Sequence, residues 1–373
     1  MRRLAPTLLP ALLGAALLGA CATTPPQGRT PYQPSAGMTA VLAERQAMHA
    51  KDLDGLTPDS ARQVPGLIDA ARAIPNVRGL PALSTDVPQV STVTAGAATS
   101  NRPALLLRPK LARDTPIILY FTGGTWVTGR LDAYEESARQ LAQRTGYVVV
   151  LLDPSRAPEA PFPAIHDDAY ALYQWARAHM REWGADPTRV ALLGEAVGGN
   201  LALSVAMQAR DEAARGGRVA PPDALVLVTP WAGTALDTPS MAENSRSQPL
   251  TRATVDWAQD NYAQDSKDLR NPRLDLAART DFANIPPTTV VLAPIDPMRS
   301  SGETVAAKLS AACVPTEARL FPGTTQDFFG LAAQVPEAAA AQDYVAARLK
   351  TAFYRAPDPV PQRRRTARSH RHR

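Results

Sequence analysis

From residue 104 onward, short runs of Val, Ile and Leu recur between longer stretches of helical spacing. The runs are Ala104–Arg108, Ile117–Phe121, Val148–Leu152, Val190–Leu193, Leu225–Val228, Thr289–Leu292 and Ala318–Phe321. Most of them show little alternation, which is how a strand buried on both faces reads. Between them Tyr134–Arg144, His166–Trp183, Gly199–Arg210, Glu303–Ala311 and Glu337–Phe353 have the length and periodicity of helices. Strand alternating with helix predicts the α/β class, with an open, mainly parallel central sheet and helices on both faces. No linker interrupts the series, so one domain is expected.

The flanks differ. Residues 38–72 have a helical pattern, with Val41, Leu42, Met48 and Leu53 apolar, and Thr57-Pro58-Asp59 signals a second helix near Ser60. Residues 232–284 break the rhythm with Trp257, Tyr262 and many polar residues, and read as an insertion over the strand ends. Residues 21–36 are rich in Thr, Pro, Gly and Ser, as a tether is. Residues 355–373 turn Pro-rich and then Arg-rich, the composition of a disordered basic tail.

Composition changes the picture only once the charge is located. Hydrophobic residues make up 45% and charged residues 20%, enough for a substantial core and ordinary for a soluble chain. The net charge of +5 comes from the ends: Arg2, Arg3 and six of the last eleven residues are arginines, leaving the body at −3. A mildly acidic body argues against nucleic-acid binding. The tail serves either as a solubilising end or to bind anionic lipid or glycan.

Arg2 and Arg3 precede the apolar stretch Leu8–Leu18, which has the length of a signal peptide's core and is too short to span a bilayer. It ends in Leu18-Gly19-Ala20-Cys21, which resembles the lipobox of bacterial lipoproteins. The resemblance implies removal of residues 1–20, a lipid on Cys21, and anchoring to a membrane of the bacterial envelope. Ala22 lacks the aspartate that retains enterobacterial lipoproteins at the inner membrane, so the outer membrane, facing the periplasm, is expected. Cys313 would then be the one remaining thiol, and it reads as a small buried hydrophobe.

The chemistry-bearing segments follow the strands. Val190-Ala191-Leu192-Leu193-Gly194-Glu195-Ala196-Val197-Gly198-Gly199-Asn200 has the pattern of a nucleophile elbow, G-x-S-x-G, with Ala196 where the serine would stand. Alone, such a turn equally well binds a phosphate or merely reverses the chain. Tyr120-Phe121-Thr122-Gly123-Gly124-Thr125 looks like an H-G-G-G oxyanion loop with Thr122 and Thr125 substituted. Asp153-Pro154-Ser155-Arg156-Ala157-Pro158-Glu159 is close to a D-Y-R-L-A-P-E segment. Ile295-Asp296-Pro297 and Thr325-Gln326-Asp327-Phe328 resemble the two later loops that carry a triad acid and a triad histidine.

Together these five segments resemble the hormone-sensitive-lipase-like branch of the α/β-hydrolases, over residues 37–354. The resemblance implies an α/β-hydrolase fold with a helical cap contributed by about 37–85 and 232–284. It implies hydrolysis of short or medium acyl esters without metal or cofactor, and an acyl-ester-like small molecule as ligand. Position by position, it makes Asp296 the triad acid and the backbone N–H groups of Gly123, Gly124 and Val197 the oxyanion donors. Ala196 cannot attack a carbonyl and Gln326 cannot take up a proton, so the chain is expected to be an inactive pseudo-hydrolase.

Two rival readings remain. One is an active carboxylic-ester hydrolase with a relocated nucleophile; the other is an interaction lipoprotein acting through its basic tail. No histidine lies between Asp296 and the tail, where the family's order requires one. His166 reads as a surface or capping residue, His179 as a solvated or dipole-facing one near a helix end, and Ser155 and Ser204 as ordinary hydroxyls. His166, Asp167, Asp168 and Glu159 could suggest a metal site, but adjacent aspartates point apart on a helix, and no metal is expected.

Overall fold

The computed structural model describes residues 31–74, 89–96, 101–110 and 112–354. Cys21, the leader, most of the tether and the arginine-rich end lie outside the described residues, as does part of the expected cap, 75–85. Eight strands form one sheet in the order β1-β2-β4-β3-β5-β6-β7-β8. Their ranges are β1 Gln89–Thr94, β2 Pro103–Arg108, β3 Thr115–Phe121, β4 Val148–Leu152, β5 Ala185–Glu195, β6 Ala224–Val228, β7 Thr288–Leu292 and β8 Thr316–Leu320. Pairings from β4 through β8 are parallel; β1 with β2 and β2 with β4 are antiparallel.

The apolar runs are buried on both faces, as their lack of alternation predicts. Ile117, Leu119, Val148, Val150, Leu192 and Leu227 pack on one side, under helices α5 (Ala164–His179), α6 (Val197–Ala214) and α9 (Arg299–Ala311). Ile118, Tyr120, Val149, Leu151, Leu193 and Val226 pack on the other, under α4 (Leu131–Thr145) and α10 (Pro336–Ala352). Local signals set the helix ends. Gly146 in the left-handed region closes α4, and Pro336 opens α10 at a position where its missing N–H costs nothing.

The cap has two parts. Helices α1 (Ala36–Ala47), α2 (Pro58–Ala61) and α3 (Leu67–Ala73) precede the sheet, and α7 (Pro239–Glu243) and α8 (Arg252–Tyr262) lie in the insertion. Ser35, Thr57, Thr238 and Thr251 cap α1, α2, α7 and α8 through side-chain oxygens. The parts are joined: Trp257 Nε1 donates to Leu56 O at 3.1 Å, Arg45 Nη1 to Gln248 Oε1 at 3.0 Å, and Gln248 Nε2 to Asp52 Oδ1 at 2.8 Å.

Three expectations are corrected. Strand β1 was not anticipated; four of its six residues, Gln-Val-Ser-Thr-Val-Thr, are polar because an edge strand has a solvated side. The run at Ala318 belongs to the opposite edge strand, β8, which is largely exposed and protected by Glu317 and Arg319 rather than buried. Cys313 is exposed, in the left-handed turn (φ 61°) after α9, and so is not a buried hydrophobe.

Candidate functional site

The end of β5 runs through a sharp turn into α6, and Ala196 sits at the turn with φ 49° and ψ −118°. This is a backbone conformation that side-chain-bearing residues adopt rarely and that clusters at functional sites. It is held by Ala196 N–H to Val228 O at 2.9 Å and Trp231 N–H to Ala196 O at 3.0 Å. The neighbouring glycines are dictated by backbone against backbone. A Cβ on Gly194 would lie 2.0 Å from Gly198 O, and one on Gly198 would lie 2.4 Å from Phe121 O. The elbow and the loop after β3 are thus in direct contact. Gly123 packs equally tightly: its Cβ would meet Glu195 O at 2.9 Å. Gly124, with φ +106°, leaves no room for a side chain against Thr128 O.

Two further loops converge beside this turn. Ile295 and Thr325 form an isolated parallel bridge, with Ile295 N–H to Thr324 O at 3.2 Å and Gln326 N–H to Ile295 O at 3.3 Å. This bridge sets Asp296 and Gln326 on adjoining backbone. Asp296 is fully buried; its Oδ1 accepts from Met298 N–H at 2.7 Å, and its Oδ2 has no hydrogen-bond partner among the described residues. Burial above all pushes its carboxyl up to about 7. Gln326 is also buried, and its Oε1 is likewise without a partner.

The cap roofs two adjoining cavities of about 110 and 100 Å³. Both are walled by Ala61, Val64, Leu67, Gly124, Thr128 and Asp327; one also reaches Glu195 and Tyr134, the other Gln326 and Trp231. Glu195, Ser137, Tyr134 and Asp327 form a polar group that the sequence reading missed. Ser137 Oγ lies 3.0 Å from Glu195 Oε1, and Tyr134 Oη donates to Asp327 Oδ1 at 3.4 Å. Burial holds Asp327 at about 6 and Glu195 well above the carboxylate range, with Asp327 adding to the latter. One sequence signal for this group was available, an ionisable residue inside the elbow at Glu195.

His166 is buried rather than on the surface. Its Nδ1 lies 2.6 Å from Tyr262 Oη and its Nε2 3.1 Å from Asn200 Oδ1, with its ring stacked near Trp126. Burial holds it neutral, down at about 4. Asn200 also donates to Trp231 O and Leu274 O, both at 2.8 Å, so this cluster ties α5, α6 and the insertion together. His179 ends α5 with Nδ1 2.8 Å from Trp175 O, and His49 is exposed. Ser155 binds Asp168 Oδ2 and Ser204 is buried; no serine hydroxyl bonds a histidine among the described residues. Asp167 pairs with Arg273 at 2.8 Å, and no group of three metal-ligating side chains occurs among the described residues.

Residues 118–330 match the family described as alpha/beta hydrolase fold. Carboxylesterase NlhH of Mycobacterium tuberculosis is 33% identical over 267 residues, covering 68% of this chain and 79% of that protein. Carboxylic ester hydrolase LipN of the same organism is 34% identical over 231 residues, covering 61% of each. Among solved structures, a serine-to-alanine variant of the esterase rPPE complexed with (S)-Ac-CPA superposes with a TM-score of 0.74. It is 27% identical, and the match covers 87% of this chain and all of that one. The chain belongs to the α/β-hydrolase-fold family, in its hormone-sensitive-lipase-like esterase branch.

Proposed function

We propose that this esterase-family protein binds a small ligand in the cap-covered cavity without hydrolysing it. The observation that carries the reading is the buried Asp296 Oδ2, which has no partner where a triad imidazole would donate. Ala196 offers no nucleophile and Gln326 no base, and loss of a nucleophile or base costs a triad hydrolase on the order of 10⁶ in turnover. The cavity itself persists, lined by the cap, Gly124 and Gln326. That the related esterase with alanine for serine was solved with a bound molecule supports binding without a nucleophile. Purified wild-type protein is expected to show no turnover of p-nitrophenyl acetate or butyrate above buffer and no covalent labelling by a fluorophosphonate. Turnover abolished by a single cavity substitution, or stoichiometric labelling of a serine, overturns the reading.

The protein acts, in this reading, as a lipoprotein of the bacterial envelope. Support comes from Arg2, Arg3, the apolar Leu8–Leu18 and Cys21 in sequence. Among the described residues no helix is long and apolar enough to cross a membrane. Cys21→Ser is expected to abolish incorporation of radiolabelled palmitate and release the protein from the membrane fraction. Unchanged labelling in Cys21→Ser removes the proposal.

A further inference from the structure

A second concavity opens beside the cap, about 600 Å³ in volume, and it is lined by four arginines. Two of them are spoken for. Arg62 is paired with Glu159 at 2.5 Å and Asp59 at 3.1 Å, and Arg130 with Asp69 at 2.8 Å and Asp132 at 3.0 Å. The other two, Arg102 and Arg156, share a single carboxylate. Arg156 Nη2 lies 2.5 Å from Asp153 Oδ1, and Arg102 Nη2 lies 3.7 Å from Asp153 Oδ2. Arg102 otherwise donates to two carbonyls, Asp153 O at 3.0 Å and Pro154 O at 2.6 Å, which carry no formal charge.

The arrangement has a direction. Asp153 is only 6% exposed, whereas the side chains of Arg102 and Arg156 are 22% and 23% exposed. The carboxylate is therefore set into the wall and the two guanidinium groups reach the groove. Two like charges held on one carboxylate repel each other, and at Asp153 itself the balance is positive, while Glu159, the other acidic group lining the groove, faces Arg156 as well as Arg62. An anion on the open side relieves both, and the planar guanidinium fork suits phosphate and carboxylate oxygens. The groove also adjoins the cavity under the cap, since Arg62, Gly129 and Arg130 line both.

We propose that Arg102 and Arg156 form an anion site in the groove beside the cavity, taking a phosphate or carboxylate group. In the ligand-binding reading above, on which only this extension rests, that group is the anionic end of the molecule whose body enters the cavity. The site itself stands on the arginine geometry and is tested without any esterase substrate.

The full chain, labelled with ¹⁵N-arginine, is titrated with inorganic phosphate, with acetate and with phosphatidylglycerol vesicles, following the Nε–H resonances of Arg102 and Arg156. Both resonances are expected to shift saturably, and Arg102→Gln, which leaves Arg156 on Asp153, should weaken binding about tenfold. Arg102→Lys should fall between the two, because it keeps the charge and loses the fork. Saturation by phosphate or acetate identifies a soluble ligand; shifts by vesicles alone identify a lipid headgroup. The proposal fails if neither resonance moves with any of the three, or if Arg102→Gln binds as tightly as wild type. Failure here leaves the absence of ester turnover untouched, and esterase activity in the wild type leaves the anion site untouched.

Discussion

Joint replacement Ala196→Ser and Gln326→His is expected to raise p-nitrophenyl acetate turnover at least ~10²-fold over wild type, with either replacement alone giving little. The members of a triad act as a unit, so one without the other recovers almost nothing. Ala196 already holds the turn at φ 49° and carries a Cβ, so serine adds one oxygen to an existing backbone. Gln326 stands on backbone bridged to the Asp296 loop, and an imidazole there has a waiting acceptor in Asp296 Oδ2. The oxyanion loop has drifted at Thr122 and Thr125, so full family-level activity is not expected. Turnover indistinguishable from wild type in a correctly folded double variant would show that the remaining groups no longer converge on a carbonyl.

Asp296→Asn is expected to stabilise the protein at high pH and leave it unchanged at low pH. The Asp296 carboxyl rises from an ordinary 3.8 to about 7 in the folded chain, chiefly through burial. A raised folded pKa means that folding favours the protonated form. The stabilising effect is complete below pH 4 and is lost as pH climbs through 7. At about 1.4 kcal/mol per unit, ionised Asp296 costs the fold on the order of 4 kcal/mol at pH 9. Asparagine keeps the acceptor for Met298 N–H and cannot ionise. Urea midpoints across pH 4 to 9 check this: the variant's advantage over wild type should be small at pH 4, grow through pH 5 and 6, and level off above pH 7. Parallel curves would mean that Asp296 finds a partner in solution. His166 works in the opposite sense. Its lowered pKa makes it a source of stability above pH 6.5 that is lost as pH falls towards 4. The comparison is therefore made against wild type at each pH.

Much of the fold was legible because buried strands write themselves as unbroken apolar runs, as in Val148–Leu152. The glycines of the elbow were legible for a different reason: close backbone approach at Gly194 and Gly198 admits nothing else. Strand β1 was not, since its alternation of Val with Ser and Thr resembles an ordinary surface loop. His166 was misplaced because helical position alone does not reveal that Tyr262, almost a hundred residues later, reaches its ring. The polar group of Glu195, Ser137, Tyr134 and Asp327 was hidden for the same reason; its members come from three separate segments. Arg102 lies in no recognised motif, and only its approach to Asp153 gives it meaning.

The ties between the two parts of the cap bear on the order in which the molecule is completed. Leu56 waits for Trp257 and Arg45 for Gln248, separations of 201 and 203 residues. A chain emerging N-terminus first makes its leading helices long before their partners exist, and long-range closure is entropically late. The roof of the cavity therefore cannot close until the insertion has been made. A molecule entering the cavity would meet a roof whose two halves are made about two hundred residues apart.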